Sequence, residues 1–355
     1  MPGFAIVGCG MIARFHARAL ADVPGARLVA LVSRQAESAK RMTEELALDC
    51  HTATNLDSVL ARRDVDAIIV TTPSGAHMEP AVAAAQARKH VVVEKPLEVT
   101  LPRCDRIIEA CERNQVGLCT IFPSRFGDAN QCLKAAVVAG RFGRLILAET
   151  TCKWWRPQSY YDEGGWKGTR ALDGGGALMN QAIHNVDLLA WLMGPVTHVT
   201  GFTATLAHER IEVEDTAVAC LRFANGALGV IQAATSAFPG LPKTIAVHGD
   251  RGTVVIEQDD VLRWELTPET PEDRSIKSRF AQKSGASGGS SNPAAISHVG
   301  HARQLADFVH AIEMKRPPLV DGRQGRKAIE IISAIYDSAA TGKTVEIAEN
   351  RNPRP

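Results

Sequence analysis

Residues 5–20 read AIVGCGMIARFHARAL. An apolar strand, Ala5 to Val7, runs straight into Gly8-Cys9-Gly10-Met11-Ile12-Ala13, and a helical stretch follows. A strand, a G-x-G-x-x-A turn and a helix start, in that order, are the fingerprint of a dinucleotide site. Gly8 permits the tight turn, and Gly10 lets the backbone approach a pyrophosphate. Ala13 lets the helix pack against the strand. The free N–H groups at the helix start, from Met11 and Ile12 onward, are donors for phosphate oxygens.

The next hundred residues repeat this alternation. Strands are expected at 4–7, 27–32, 67–71, 91–94 and 117–121, with helices at 11–21, 36–46, 56–61, 76–89 and 101–114. Such spacing builds βαβ units and a doubly wound parallel sheet, a Rossmann domain over 1–122. Beyond Phe122 the texture changes. One long helix is expected from about 176 to 193, followed by alternating runs such as TAVACLRF and GTVVIEQ linked by turns such as ANG and GDRG. Residues 123–355 therefore read as an α+β domain with a large, mostly antiparallel sheet. Ser, Gly, Lys and Asn crowd 272–298, which reads as a mobile loop. Helix returns at 301–314 and at 323–340, the last expected to pack back on the first domain.

Composition narrows the function. A chain of 355 residues exceeds one ordinary core. Forty basic against 39 acidic side chains leave no basic field for nucleic acid or an anionic membrane surface. No run of 18 apolar residues is present to span a bilayer, and the N-terminus lacks the charged region and cleavage site of a signal peptide. Eight scattered cysteines without a CxxC pair suit a reducing cytoplasm and offer no zinc site.

The second strand ends LVALVSRQ, with Ser33 and Arg34 where an acidic residue would hold the ribose hydroxyls of NAD. A hydroxyl and a guanidinium suit a 2′-phosphate, so NADP(H) is expected over NAD(H), with NAD possible because Ser33 also tolerates a ribose hydroxyl. Further on, VVVEKPLEVT spans residues 91–100. Pro96 cannot continue a central strand, so Lys95 stands at the strand's carboxyl end, where open α/β sheets bind ligands.

These segments, together with DAIIVTTPSGAHMEPAVAA, GGGALMNQAIHNVDLLAWLMG and RPPLVDGRQGRKAIEIISAIYDSAATGKTVEI, resemble the glucose-fructose oxidoreductase/inositol dehydrogenase/MocA family from Met1 to about Ile347. The resemblance implies reversible hydride transfer between nicotinamide and a carbinol carbon of a small carbohydrate-like substrate: a sugar, polyol or sugar derivative. It also implies a homodimer or homotetramer assembled through the C-terminal sheet. Lys95 then stabilises developing alkoxide charge, its peptide to Pro96 being cis, and His184 is the general base or acid. Glu94, Thr72, Pro73 and His77 fall beside the cofactor, although His77 can equally cap the helix it begins.

Asn180, His184, Asp187 and Trp191 recur at i, i+4, i+7 and i+11, on one helix face. The inositol-type enzymes carry Asp four residues before the histidine. Asn180 argues against a Lys–Asp–His triad and against inositol as substrate, and leaves the Lys–His pair. The three glycines 174–176 let the backbone pass close to substrate or cofactor. The loop KWWRPQSYYDEGGWKGT crowds Trp154, Trp155, Tyr160, Tyr161 and Trp166 among Lys153, Arg156 and Lys167. It can stack on sugar faces, or it can be an interface cluster; Tyr160, Trp166 and Lys167 are the substrate candidates. His298 and His301 either reach the substrate cavity or face solvent. Two alternatives stand beside the oxidoreductase: a glycoside-cleaving enzyme that oxidises its substrate only transiently, and a non-catalytic dinucleotide-sensing regulator.

Overall fold

The computed structural model describes residues 1–163, 165–281 and 297–347. They form two compact units. The first joins Met1–Pro123, Arg170–Gly174 and His298–Ile329; the second joins the remainder.

In the first unit the alternation expected from sequence is present: β1 (Gly3–Val7), α1 (Met11–Ala21), β2 (Arg27–Val32), α2 (Ala36–Glu45), β3 (His51–Ala53), α3 (Leu56–Leu60), β4 (Ala67–Val70), α4 (Met78–Gln86), β5 (His90–Val93), α5 (Leu101–Asn114) and β6 (Leu118–Thr120). All strands pair in parallel, in the order β3-β2-β1-β4-β5-β6. This is the doubly wound order, whose ligand crevice lies at the carboxyl ends of the strands. The sequence reading missed β3, a short edge strand with little burial to give it a pattern. A 3-10 turn at Ser74–Ala76 delays α4 to Met78.

The first unit's core also draws on a distant segment. Leu305, Phe308 and Val309 of α10 (Val299–Glu313) join Phe4, Ile6, Ala17 and Leu20 in one buried cluster. The first domain therefore does not end at residue 122.

The second unit contains α6 (Asp128–Val138), β7 (Leu145–Lys153), α7 (Ser159–Asp162), α8 (Ile183–Met193), β8 (Val196–Ala204), β9 (Thr216–Phe223), β10 (Leu228–Ala234), β11 (Thr244–Gly249), β12 (Gly252–Glu257), β13 (Asp260–Leu266) and α9 (Pro271–Arg279). Its eight strands, closed at one edge by β14 (Val345–Glu346), are antiparallel except for the β7–β10 pair. One face of the sheet is buried through Ala217, Ala219, Leu221 and Ile231, and α8 packs on β7.

Two expectations are corrected here. The stretch 272–298 is not all loop, because α9 occupies its start. Thr270 caps that helix in a reciprocal capping box with Asp273, Pro271 follows the cap, and Lys277 and Arg279 lie in the last turn. Residues 282–296 lie outside the described residues. The final helix, α11 (Gly322–Thr341), is divided between the units. Up to Ile329 it belongs to the first, where Arg323 pairs with Glu112 and Arg326 with Asp105. Its remainder belongs to the second, where Ser338 Oγ accepts from the Gly201 N–H.

Candidate active site

Gly8 has φ +99°, and a Cβ there would come within 2.8 Å of the Thr71 carbonyl oxygen, so only glycine closes this turn against β4. Thr71 Oγ1 ties the same corner by donating to the Gly8 carbonyl at 2.7 Å. Gly10 is exposed, and a Cβ on it would meet no protein atom within 4 Å. No side chain caps α1, so the N–H groups of its first turn are left for an outside acceptor. An uncapped helix start beneath an open glycine fits a pyrophosphate. Arg14 braces the turn from behind, with Nη1 on the Cys9 and Gly10 carbonyls and Nε on Glu45. Met11 is half exposed and Ile12 half-buried beside that surface. Ser33 and Arg34 follow β2; Ser33 Oγ accepts from the Gln35 N–H, and Arg34 is exposed.

Around β4 and β5 the structure gives two buried side chains protein partners that the sequence did not show. His77 is buried, with Nδ1 2.8 Å from the Pro96 carbonyl and Nε2 2.9 Å from the Thr72 carbonyl. Its side chain makes no capping bond to α4. Glu94 is also buried. Its Oε2 accepts the Lys95 N–H at 2.9 Å, while its Oε1 lies 2.7 Å from His16 Nε2 and 3.6 Å from His301 Nε2. Burial alone would raise the Glu94 pKa, but the hydrogen bonds from His16 and His301 bring it well below the usual carboxylate range. Burial lowers His16, partly offset by Glu94. Thr72 spends its hydroxyl proton on the Ala76 carbonyl, and Pro73 stays half-buried. Lys95 itself is half-buried after β5, and its peptide to Pro96 is cis.

In the second unit, the helix expected from 176 begins as a π-helical turn, Ala177–Ala182, before α8 takes over. Wide turns of this kind recur at functional sites. Asn180 lies in the wide turn and His184 one residue into α8, both half-buried. Asp187 does not join them as a ligand group: both its oxygens are held by Arg125, at 2.6 and 2.8 Å, with each partner nearly fully buried. Arg125 and Lys134 also lie over the Trp191 ring. The helix start is tied by Glu214, which accepts from the Gly176 and Leu178 N–H groups and from the Tyr336 hydroxyl.

Each of the three glycines is required by close packing against protein atoms. A Cβ on Gly174 would strike Val99, one on Gly175 the Tyr336 hydroxyl, and one on Gly176 the Glu214 carbonyl.

Aromatic crowding in the loop after β7 is likewise partly structural. Trp154 and Tyr161 are buried, Tyr161 bonding Thr235 at 3.0 Å, and Trp155 meets Phe238 edge-on. Tyr160 and Lys167 remain half-buried, with Lys167 Nζ 3.9 Å above the Tyr160 ring, and Trp166 is half-buried beside them. His298 pairs with Asp22 at the end of α1, while His301 turns inward to Glu94.

Sequence reasoning missed the His16–Glu94–His301 cluster, the Arg125–Asp187 pair and the Glu214 tie. Only His16, a histidine inside the apolar face of α1, carried any local signal.

Comparison with known proteins agrees with this geometry. A model described as oxidoreductase family, NAD-binding Rossmann fold, matches residues 3–122, and one described as GFO/IDH/MocA C-terminal domain matches 130–255. The solved WlbA dehydrogenase from Bordetella pertussis, in complex with NADH and UDP-GlcNAcA, is 34% identical with a TM-score of 0.89, over 98% of each chain.

The chain belongs to the glucose-fructose oxidoreductase/inositol dehydrogenase/MocA family.

Further relatives in the family include the myo-inositol 2-dehydrogenase of Thermotoga maritima, 28% identical over 97% of this chain and 98% of the relative. The 1,5-anhydro-D-fructose reductase of Ensifer adhaerens is 26% identical over 98% and 99%. The chain is accordingly an enzyme, an NAD(P)-dependent oxidoreductase acting on CH–OH, which removes the regulator alternative.

Proposed function

We propose that this enzyme moves a hydride between NADP(H) and a carbinol carbon of an acidic or nucleotide-linked sugar derivative. The observation that carries the reading is the placement of Lys95: it leaves the carboxyl end of β5, two strands from the glycine turn in the order β1-β4-β5. That is the end at which this sheet type holds its cofactor.

When bound, the nicotinamide supplies or accepts the hydride. The ammonium of Lys95 hydrogen-bonds the alcohol oxygen and stabilises charge as it develops there. His184 removes the hydroxyl proton in oxidation and returns it in reduction. Asn180, lacking a basic group, donates and accepts hydrogen bonds to a substrate hydroxyl. Tyr160, Trp166 and Lys167 supply a stacking face and a cation for the sugar and its anionic substituent.

Ser33, Arg34 and the lack of a carboxylate at the end of β2 support NADP(H). The anionic substrate class is supported by the half-buried Lys153 and Lys167 beside the aromatic loop, and by UDP-GlcNAcA in the WlbA complex. No feature of the described residues favours the glycoside-cleaving alternative. Eight free thiols suit a reducing cytoplasm. The exposed sheet face bearing Phe202, Val218 and Leu228 suits a second copy of the chain.

The deciding experiment follows absorbance at 340 nm with NADP+ and with NAD+ over nucleotide-linked sugar acids, free sugar acids, neutral sugars and polyols. Turnover on sugar acids with NADP+ is expected. Turnover confined to neutral polyols, or an NAD+ preference, would replace the corresponding half of the reading.

A further inference from the structure

The buried cluster behind the lysine turn has no place in the chemistry above. Glu94 is a carboxylate in a protein interior, a costly placement unless its oxygens are met by donors. Hydrogen bonds from His16 and Lys95, and the nearby His301 ring, reach it from three separate parts of the first unit. His16 Nε2 projects from α1 at 2.7 Å, His301 Nε2 from α10 at 3.6 Å, and the Lys95 N–H from its own turn at 2.9 Å.

The three ligand atoms of His16, Glu94 and His301 lie within 4.8 Å of one another, which raises the question of a metal ion. A metal would take the lone pairs of both Nε2 atoms and leave each Nδ1–H in need of an acceptor. Both Nδ1 atoms are buried without a hydrogen-bond partner among the described residues. The arrangement is instead met by protons on both Nε2 atoms, each directed at the carboxylate. With Nδ1 deprotonated, no donor is stranded.

On the far side of the same turn, His77 sits between the Pro96 and Thr72 carbonyls. The Lys95–Pro96 pair is thus gripped at its first N–H by Glu94 and at its last carbonyl by His77.

The geometry points to His16, Glu94 and His301 as a positioning unit that aims Lys95 and ties its turn to α1, the helix whose start receives the cofactor phosphates. Lysine carries a long, mobile stem, so its aim depends on how firmly its backbone is fixed. A displacement of about 1 Å at a reacting group costs on the order of a hundredfold in rate. Glu94 supplies both the anchor and an anionic charge one residue from the ammonium.

This inference rests on the catalytic assignment of Lys95, and a double-mutant cycle separates the two. On wild-type enzyme, His16→Leu is expected to lower kcat at least about tenfold with KM for the sugar nearly unchanged. His16→Gln, which keeps an N–H near the position of Nε2, should recover most of that loss. On a Lys95→Ala background, His16→Leu should cost less than about twofold, because its effect passes through the lysine. An equal loss on both backgrounds would overturn the positioning role. Wild-type turnover in Lys95→Ala would instead defeat the assignment of Lys95 itself.

His301→Leu and His301→Gln repeat the comparison if the His16 variants are insoluble, with the same outcomes deciding. Elemental analysis of the purified enzyme is expected to find no stoichiometric divalent metal. One metal per chain, lost together with activity on chelation, would also overturn the assignment.

Discussion

Lys95 and His184 were both singled out from sequence, but for different reasons. Lys95 is placed by chain logic alone, since a buried apolar strand and a proline fix where the strand ends. His184 needed the family motif around it. Replacement of either by alanine is expected to lower turnover at least about a hundredfold in stopped-flow or steady-state assays, the usual contribution of a proton-transfer group. Retained turnover in both variants would remove them from the chemistry. At the end of β2, Ser33→Asp should place a carboxylate where a 2′-phosphate would lie. We expect kcat/KM for NADP+ to fall at least about tenfold while that for NAD+ holds or rises; an equal response to both cofactors would dissociate Ser33 from the ribose. Glu94 and His77 are placed beside the cofactor by the family resemblance. Their partners, residues 16, 301, 72 and 96, are scattered along the chain, and no local pattern in one sequence reveals such a meeting.

Elements were legible where burial imposed a period and illegible where caps or wide turns decided. The parallel strands β1, β4 and β5 read cleanly because both faces are buried. Helix α9 was lost in a polar stretch although its start, Thr270-Pro271-Glu272-Asp273, carries a full set of start signals. Asp273 also accepts from Trp264 Nε1 and pairs with Arg141. Burial would raise its pKa, but these bonds together hold it at about 2 against a usual carboxylate near 3.8. A depressed folded-state pKa stabilises the fold above the unfolded value and loses that contribution as pH falls toward 2. Asp273→Asn should therefore melt below wild type at pH 6, by roughly 1–2 kcal/mol, with the gap closing between pH 4 and 2. A gap independent of pH would show that the charge of Asp273 is irrelevant. On α8, breaking the buried Arg125–Asp187 pair with Asp187→Ala should destabilise by about 3 kcal/mol or more in urea titration, because the buried Arg125 guanidinium loses its carboxylate. The π-helical turn before α8 had no visible signal: the spacing of Asn180 and His184 reads as an ordinary helix, and only the Glu214 tie shows how the turn starts.

At the scale of the whole molecule, the chain is near-neutral and falls into two compact units, and among the described residues no helix is long and apolar enough to cross a membrane. The open face of the second sheet sets Phe202 opposite Val218, with Leu228 on the next strand, all well exposed. For the proposed homodimer or homotetramer, sedimentation should give a multiple of the 38.1 kDa chain. Phe202→Lys should shift it toward the monomer, whereas a wild-type monomer would remove the assembly. The units themselves were drawn too simply, because periodicity shows where elements lie and not which core they join. Leu305, Phe308 and Val309 complete a core begun by Phe4 and Ile6. During synthesis, the leading 122 residues must leave the ribosome with that apolar surface still uncovered. They cannot be sealed until some two hundred further residues have followed, so this enzyme cannot mature by closing its leading third first, the habit of most multidomain chains.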